Sequence, residues 1–212
     1  MMSMKISTTD FEGDPNLGLY GFATDKYAFL GMKKSLPVLK TKIIVQPMGQ
    51  TRFSGIFATG NSHGIIISSF FKEYDEYIDI PVLVLKTDFT AIGNLVLIND
   101  NGIIISPLIK NHAKEISDFF GLECKATTIA ETGVVGSCAI ATNKGCVINP
   151  FVKKQEMKII QSVLKVPCDI GTANFSSPYV GSCVIANSNG MIISSFTSGP
   201  ESGRLAETLG FL

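Results

Sequence analysis

The sequence predicts an α+β fold in which five pseudosymmetric ββαβ-type units close into a ring. Three observations predict it: glycines that recur in pairs nine residues apart, a polar turn inside each pair flanked by apolar runs, and an N-terminal strand that supplies what the last unit lacks. Gly55, Gly93, Gly136 and Gly181 are followed by Gly64, Gly102, Gly145 and Gly190; Gly18 opens a fifth copy in which Tyr27 takes the second place. The leading glycines are 37, 38, 43 and 45 residues apart, so five units fill the chain as one domain spanning 1–212.

Each unit opens with an apolar run from its glycine, predicting a first strand. A cluster of Asn, Asp, Ser or Thr ending in Gly then gives a hairpin turn, clearest in Asn99-Asp100-Asn101-Gly102 and Asn187-Ser188-Asn189-Gly190. Second strands follow at 65–67, 103–105, 146–148 and 191–193. They are unbroken apolar triplets, which suit a strand covered on both faces. Helices come next. Ile109, Ala113, Ile116 and Phe120 make an apolar stripe ending at Gly121, Met157, Ile160 and Leu164 repeat it before Pro167, and Ser198-x-x-Glu201 opens a third helix reaching Gly210. Units one and two carry shorter helical signals, the first interrupted by Pro37. Third strands at 42–46, 81–86, 123–128 and 166–170 number four for five units; residues 4–8 provide the fifth and bring the two chain ends together.

Composition excludes several functions. Eighteen Lys plus Arg balance eighteen Asp plus Glu, so no basic excess drives general DNA or RNA binding. No apolar stretch approaches the roughly 18 residues of a membrane span and no secretory signal is evident, so a cytoplasmic protein is expected. Five cysteines without a CxxC pair argue against a disulfide framework and a zinc site. Cys138 and Cys183 share a slot that other units fill with Tyr20, Phe57 and Leu95, which marks a packing position rather than a nucleophile. His63 falls in a hairpin turn and His112 on the helix face opposite the apolar stripe, where solvent is expected. Asp14, Asp75, Asp88, Asp118 and Asp169 lie at different repeat phases, so no catalytic dyad, metal site or cofactor is predicted. Gly199 to Gly203 open a helix that either receives an anion or carries an ordinary cap. Basic residues at 33–34, 40, 42, 110, 114, 144, 153–154 and 158 fall mostly on outer helical faces.

Long ordered runs carry a resemblance: AIGNLVLINDNGIIISP at 91–107, VVGSCAIATNKGCVINP at 134–150, and IGTANFSSPYVGSCVIANSNG at 170–190 followed by TSGPE at 197–201, with NLGLYGFATDKY at 16–27 matching more loosely. The chain resembles the archaeal and eukaryotic translation initiation factor six family over essentially its whole length. That resemblance implies a pentein α/β-propeller. It also implies an anti-association factor, a monomer that binds the large ribosomal subunit beside its fourteenth protein and near the sarcin–ricin loop. There it blocks joining of the small subunit, and in eukaryotic relatives it also serves large-subunit biogenesis. Regulation through the long eukaryotic C-terminal tail is not expected, since the sequence stops at Leu212. The implied contact surface is the ring of residues at and after the repeat glycines: Gly18 and Leu19, Gly55 and Ile56, Gly93 and Asn94, Gly136 and Ser137, Gly181 and Ser182. Position 56 departs from the family's frequent Arg. Glycine lets another backbone approach closely, so the same positions also suit tight packing around a central axis.

The competing readings are a pentein enzyme acting on guanidino groups, which needs a Cys, a His and carboxylates converging on a channel, and a structural oligomer, which needs an exposed apolar signal that the sequence does not display.

Overall fold

A computed structural model describes residues 5–212, and its strands form five separate three-stranded sheets, one per unit. The sheets are Gly21–Ala23, Tyr27–Leu30 and Lys42–Val45; Ala58–Asn61, Gly64–Ser68 and Val82–Leu85; Val96–Ile98, Ile103–Ile105 and Cys124–Ala126; Ala139–Ala141, Cys146–Ile148 and Cys168–Ile170; and Ile185–Asn187, Gly190–Ile193 and Ile6–Thr8. First and second strands pair antiparallel, second and third parallel, in every unit. The fifth unit takes its third strand from the N-terminus, with Ile6 opposite Met191 and Thr8 opposite Ile193. Of the expected strand at 4–8, Met4 lies outside the described residues.

The apolar triplets are buried because each second strand serves two cores. Ile103 and Ile105 pack under their own helix against Ile109, Ile116 and Phe120, whereas Ile104 points the other way into the core of unit four. The same alternation sends Phe29 into the core of unit two, Ile66 into unit three, Val147 into unit five and Ile192 into unit one. Period-two geometry makes this the natural use of three consecutive apolar residues. Burying each such side chain stabilises by about 2 kcal/mol, and first-strand residues such as Leu97 and Ile185 join them in the neighbour's core, so apolar burial couples each unit to the next.

Outer helices follow the predicted order but differ in quality. Lys154–Leu164 and Gly199–Thr208 are regular, and Ala113–Phe120 is preceded by a 3-10 segment, Pro107–His112, that leaves helical geometry at Ile109. Gly121 ends its helix at φ 65°, while Lys165 adopts φ 54° for the same purpose without being glycine. Units one and two, where the helical signal is weak, have only the 3-10 turns Pro37–Leu39 and Ser69–Tyr77, the latter broken at Phe71. Among the described residues, no helix is long and apolar enough to cross a membrane.

Candidate functional site

The leading glycines do not start strands. Gly55, Gly93, Gly136 and Gly181 sit in the single helical turns Ser54–Phe57, Ile92–Leu95, Val135–Cys138 and Val180–Cys183, and Gly18 in the 3-10 turn Leu17–Leu19. The expected run of strand from each glycine is thereby corrected: the sheets begin three or four residues later. The cause is local hydrogen bonding. In every unit the amide after the glycine donates to the carbonyl three residues before it: Leu19 to Asn16, Ile56 to Phe53, Asn94 to Ala91, Ser137 to Val134 and Ser182 to Tyr179, at 3.0–3.1 Å.

These turns meet backbone to backbone. A Cβ added at Gly55 would strike the carbonyl oxygen of Gly18, at Gly93 that of Gly55, at Gly136 that of Gly93, at Gly181 that of Gly136, and at Gly18 that of Gly181. All five glycines line one narrow cavity of about 70 Å³. Their tight-packing role is therefore evident in the geometry. The flanking residues Leu19, Ile56, Asn94 and Ser182 are half-buried at the same end, and Ser137 is buried. With their amides committed to the turns, these residues have no main-chain donor to offer another molecule. The Asn94 carboxamide makes no hydrogen bond to any described residue.

Before four of the glycine turns the chain makes a tight projecting turn, bridged at Phe11 and Asp14, Met48 and Thr51, Ile129 and Thr132, and Ala173 and Ser177. Two of these projections are capped by glutamates at equivalent helix positions. Glu156 accepts from the Thr128 hydroxyl and from the amides of Lys153, Ala130 and Glu131; Glu201 accepts from the Thr172 hydroxyl, the Ser176 amide, and the Ser198 amide and hydroxyl. Burial raises the pKa of both carboxyls, but these hydrogen bonds outweigh it and hold both below the usual carboxylate range. At the Ser198 helix start, the choice between anion and cap is thus decided by Glu201, which fills the position itself.

The five thiols do not behave alike: a hydrogen bond from Cys146 holds the Cys168 thiol below its usual value, while the same contact and burial push Cys146 up. Burial pushes the Cys138 and Cys183 thiols up, and that of Cys124 up to about 11, so these stay protonated at neutral pH. His63 is exposed in its turn. His112 departs from expectation: its side chain is only 11% exposed, because it sits at the start of its helix with Nδ1 3.0 Å from Glu115 Oε2. No group of three or more His, Cys, Asp or Glu side chains suited to a metal occurs among the described residues.

Two features escaped sequence reasoning. At the opposite, hairpin end, Asp25 and Asp100 accept hydrogen bonds from Ser188 and Ser62 respectively, and the Asn143 side chain donates to both. Asp25, Ser62, Asp100, Asn143 and Ser188 occupy one phase of the repeat, the alignment signal that would have found them. Exposed aromatics are the second: Phe70, Phe151, Phe175 and Phe196 stand in solvent, a correction to the expectation that no apolar surface signal exists.

The profile of the eIF-6 family matches residues 6–208. The chain is 37% identical to translation initiation factor 6 of Pyrococcus abyssi over 99% of its length and all of the relative, and 38% identical to that of Thermococcus gammatolerans with the same coverage. It is 34% identical to that of Methanocaldococcus jannaschii over 95% of this chain and 96% of the relative. These relatives are named as translation initiation factors, not enzymes, and the chain likewise is not an enzyme. By coverage from the first described strand to the last helix, and by the repeated units that bear the matching motifs, the chain belongs to the eIF-6 family.

Proposed function

We propose that this protein is a translation initiation factor that binds the large ribosomal subunit and prevents premature joining of the small one, with a further role in large-subunit biogenesis. The observation that carries the reading is family membership over almost the whole chain. In this reading the five units form one closed pentein domain, monomeric and cytoplasmic, and the protein acts by occupying space.

The contact surface is the glycine end: Gly18, Leu19, Gly55, Ile56, Gly93, Asn94, Gly136, Ser137, Gly181 and Ser182. Five backbone turns packed without intervening side chains make a shallow platform for a protein edge, and the partner proposed for it is the fourteenth large-subunit protein, near the sarcin–ricin loop. Zero net charge implies few phosphate contacts, so binding falls only moderately with salt. The test is gradient co-sedimentation with purified subunits. Co-migration with the large subunit alone, and loss of subunit joining when the protein is added first, is expected; equal binding to both subunits, or to neither, refutes the reading.

A further inference from the structure

The projecting turn of unit five differs from the others in what it holds and how. Asn174, Phe175 and Ser176 are three consecutive non-glycine residues in the left-handed region, at φ 51°, 57° and 69°. L-residues resist this conformation, and a bulky aromatic especially so. The other projecting turns need only two such residues, with glycine taking one place at Gly13 and Gly49.

The strain is held from several sides. The Asn174 side-chain amide donates to the Pro15 carbonyl at 2.8 Å, its side-chain oxygen accepts from the Ser194 and Thr197 hydroxyls at 2.6 and 3.0 Å, and the Ser176 amide is fixed by Glu201 at 2.7 Å. So much scaffolding ends in a side chain that gives the fold little: Phe175 is 73% exposed. It meets Phe196, itself 50% exposed, edge to face with ring centroids 6.2 Å apart, and Tyr179, 44% exposed, lies four residues on. Over-determined strain that displays an apolar group is the pattern of a preorganised contact residue.

We propose that Phe175, backed by Phe196, is a knob that seats in an apolar hollow of a protein on the large subunit. This rests on the large-subunit reading above and names a residue outside the glycine ring that carries part of the contact. Local charge favours protein over RNA. Among the described residues no Lys or Arg pairs with or donates to residues 172–179 or 194–197, and the charged group that does touch them is the Glu201 carboxylate. A phosphate would meet an anion there, whereas an apolar hollow would cover the exposed Phe175 and Phe196 rings.

The experiment measures large-subunit affinity by co-sedimentation, and melting temperature, for the full chain and for Phe175→Ala, Phe175→Leu and Phe175→Gly. Phe175→Ala should weaken binding at least about tenfold, and Phe175→Leu, which keeps the apolar volume, by no more than about threefold. Phe175→Gly should weaken binding without lowering the melting temperature, since glycine relaxes at positive φ. If the wild type binds and Phe175→Ala binds equally well, this proposal alone falls. Equal losses for Phe175→Leu and Phe175→Ala would point to ring stacking on a base and overturn the protein partner. A lowered melting temperature for Phe175→Gly would make Phe175 a folding residue and overturn it too. Failure of the wild type to bind removes the large-subunit reading and this proposal together.

Discussion

At the hairpin end, neighbouring units are joined by side chains; at the glycine end, by the lack of them. Asn187 illustrates the first. Its side-chain amide donates to the carbonyls of Thr24 and Leu39 in unit one, while its side-chain oxygen accepts from the amides of Asn189 and Gly190 in its own turn. Asn99 repeats the arrangement toward Thr142 and Leu164 of unit four. Where Thr24 and Thr142 replace this asparagine and cannot reach across, Tyr27 Oη bonds the carbonyls of Asn61 and Gly64, and Lys144 Nζ that of Ser188. The side chains there are saturated by one another and leave little for a partner. At the glycine end cohesion comes from the main chain, so Leu19, Ile56, Asn94 and Ser182 are free of that duty. The difference is the ground for proposing the glycine end, rather than the hairpin end, as the contact surface.

The largest expected effect breaks the glycine end. Gly93→Ala places a methyl against the carbonyl oxygens of Gly55 and Ala58, both main-chain atoms that cannot yield without moving a unit. We expect a loss of about 3 kcal/mol or more in urea unfolding. Gly203→Ala is the matched control, since a Cβ there meets nothing within 4 Å and the residue lies inside a helix; it should gain about 0.5 kcal/mol. Equal behaviour of the two variants would show that the glycine contacts are not what holds the units.

At the hairpin end, Asn187→Ala strands two carbonyls and two amides in a buried seam between units five and one. A loss of about 2 kcal/mol follows from unsatisfied buried groups. A loss under about 0.5 kcal/mol would mean that water replaces the carboxamide, and that the seam is looser than its geometry.

Most of the frame was legible in the sequence, and the reason is periodicity. Apolar triplets such as Ile103 to Ile105, turn glycines, and the short count of third strands each reflect a physical requirement repeated in several units. What repeats weakly was misjudged. Ile109 to His112 read as ordinary helix because Ile109 fits the stripe, yet these residues belong to a 3-10 segment and the His112 side chain is mostly buried. The glycine turns read as strand because a four-residue helical turn is too short to leave a period. The candidate contact residues came from resemblance; of these the five glycines line one cavity, a placement that their packing role accounts for by itself, and the display of Phe175 depends on backbone angles that no composition signals.

A smaller effect concerns acid. Both Glu156 and Glu201 have folded pKa values below the unfolded carboxylate value of about 4.3. A depressed carboxyl contributes stability that is fully present above the unfolded pKa and is lost as pH falls through the folded one. Melting temperature should therefore drop between about pH 5 and pH 3, and the drop should shrink in the double variant Glu156→Gln, Glu201→Gln. An unchanged acid profile in that variant would assign the acid sensitivity to other carboxyls.

The smallest effect on stability, and the sharpest on contact, is expected at Asn94. Its amide is already committed to Ala91 and its side chain is half-buried without a partner among the described residues, so replacing it disturbs no side-chain bond among them. Asn94→Arg adds bulk and a charge that a docked protein must pair or desolvate. We expect the melting temperature to stay within a degree or two while large-subunit binding weakens about tenfold, equivalent to about 1.4 kcal/mol. Lys153→Glu is the contrast, because Lys153 stands exposed at the start of an outer helix and, among the described residues, its ammonium pairs only with the exposed Glu131. Normal binding by Lys153→Glu beside weak binding by Asn94→Arg places the partner at the glycine end. If Lys153→Glu alone fails, the helical perimeter holds the subunit; if neither variant changes binding, the glycine turns serve only to pack the units together.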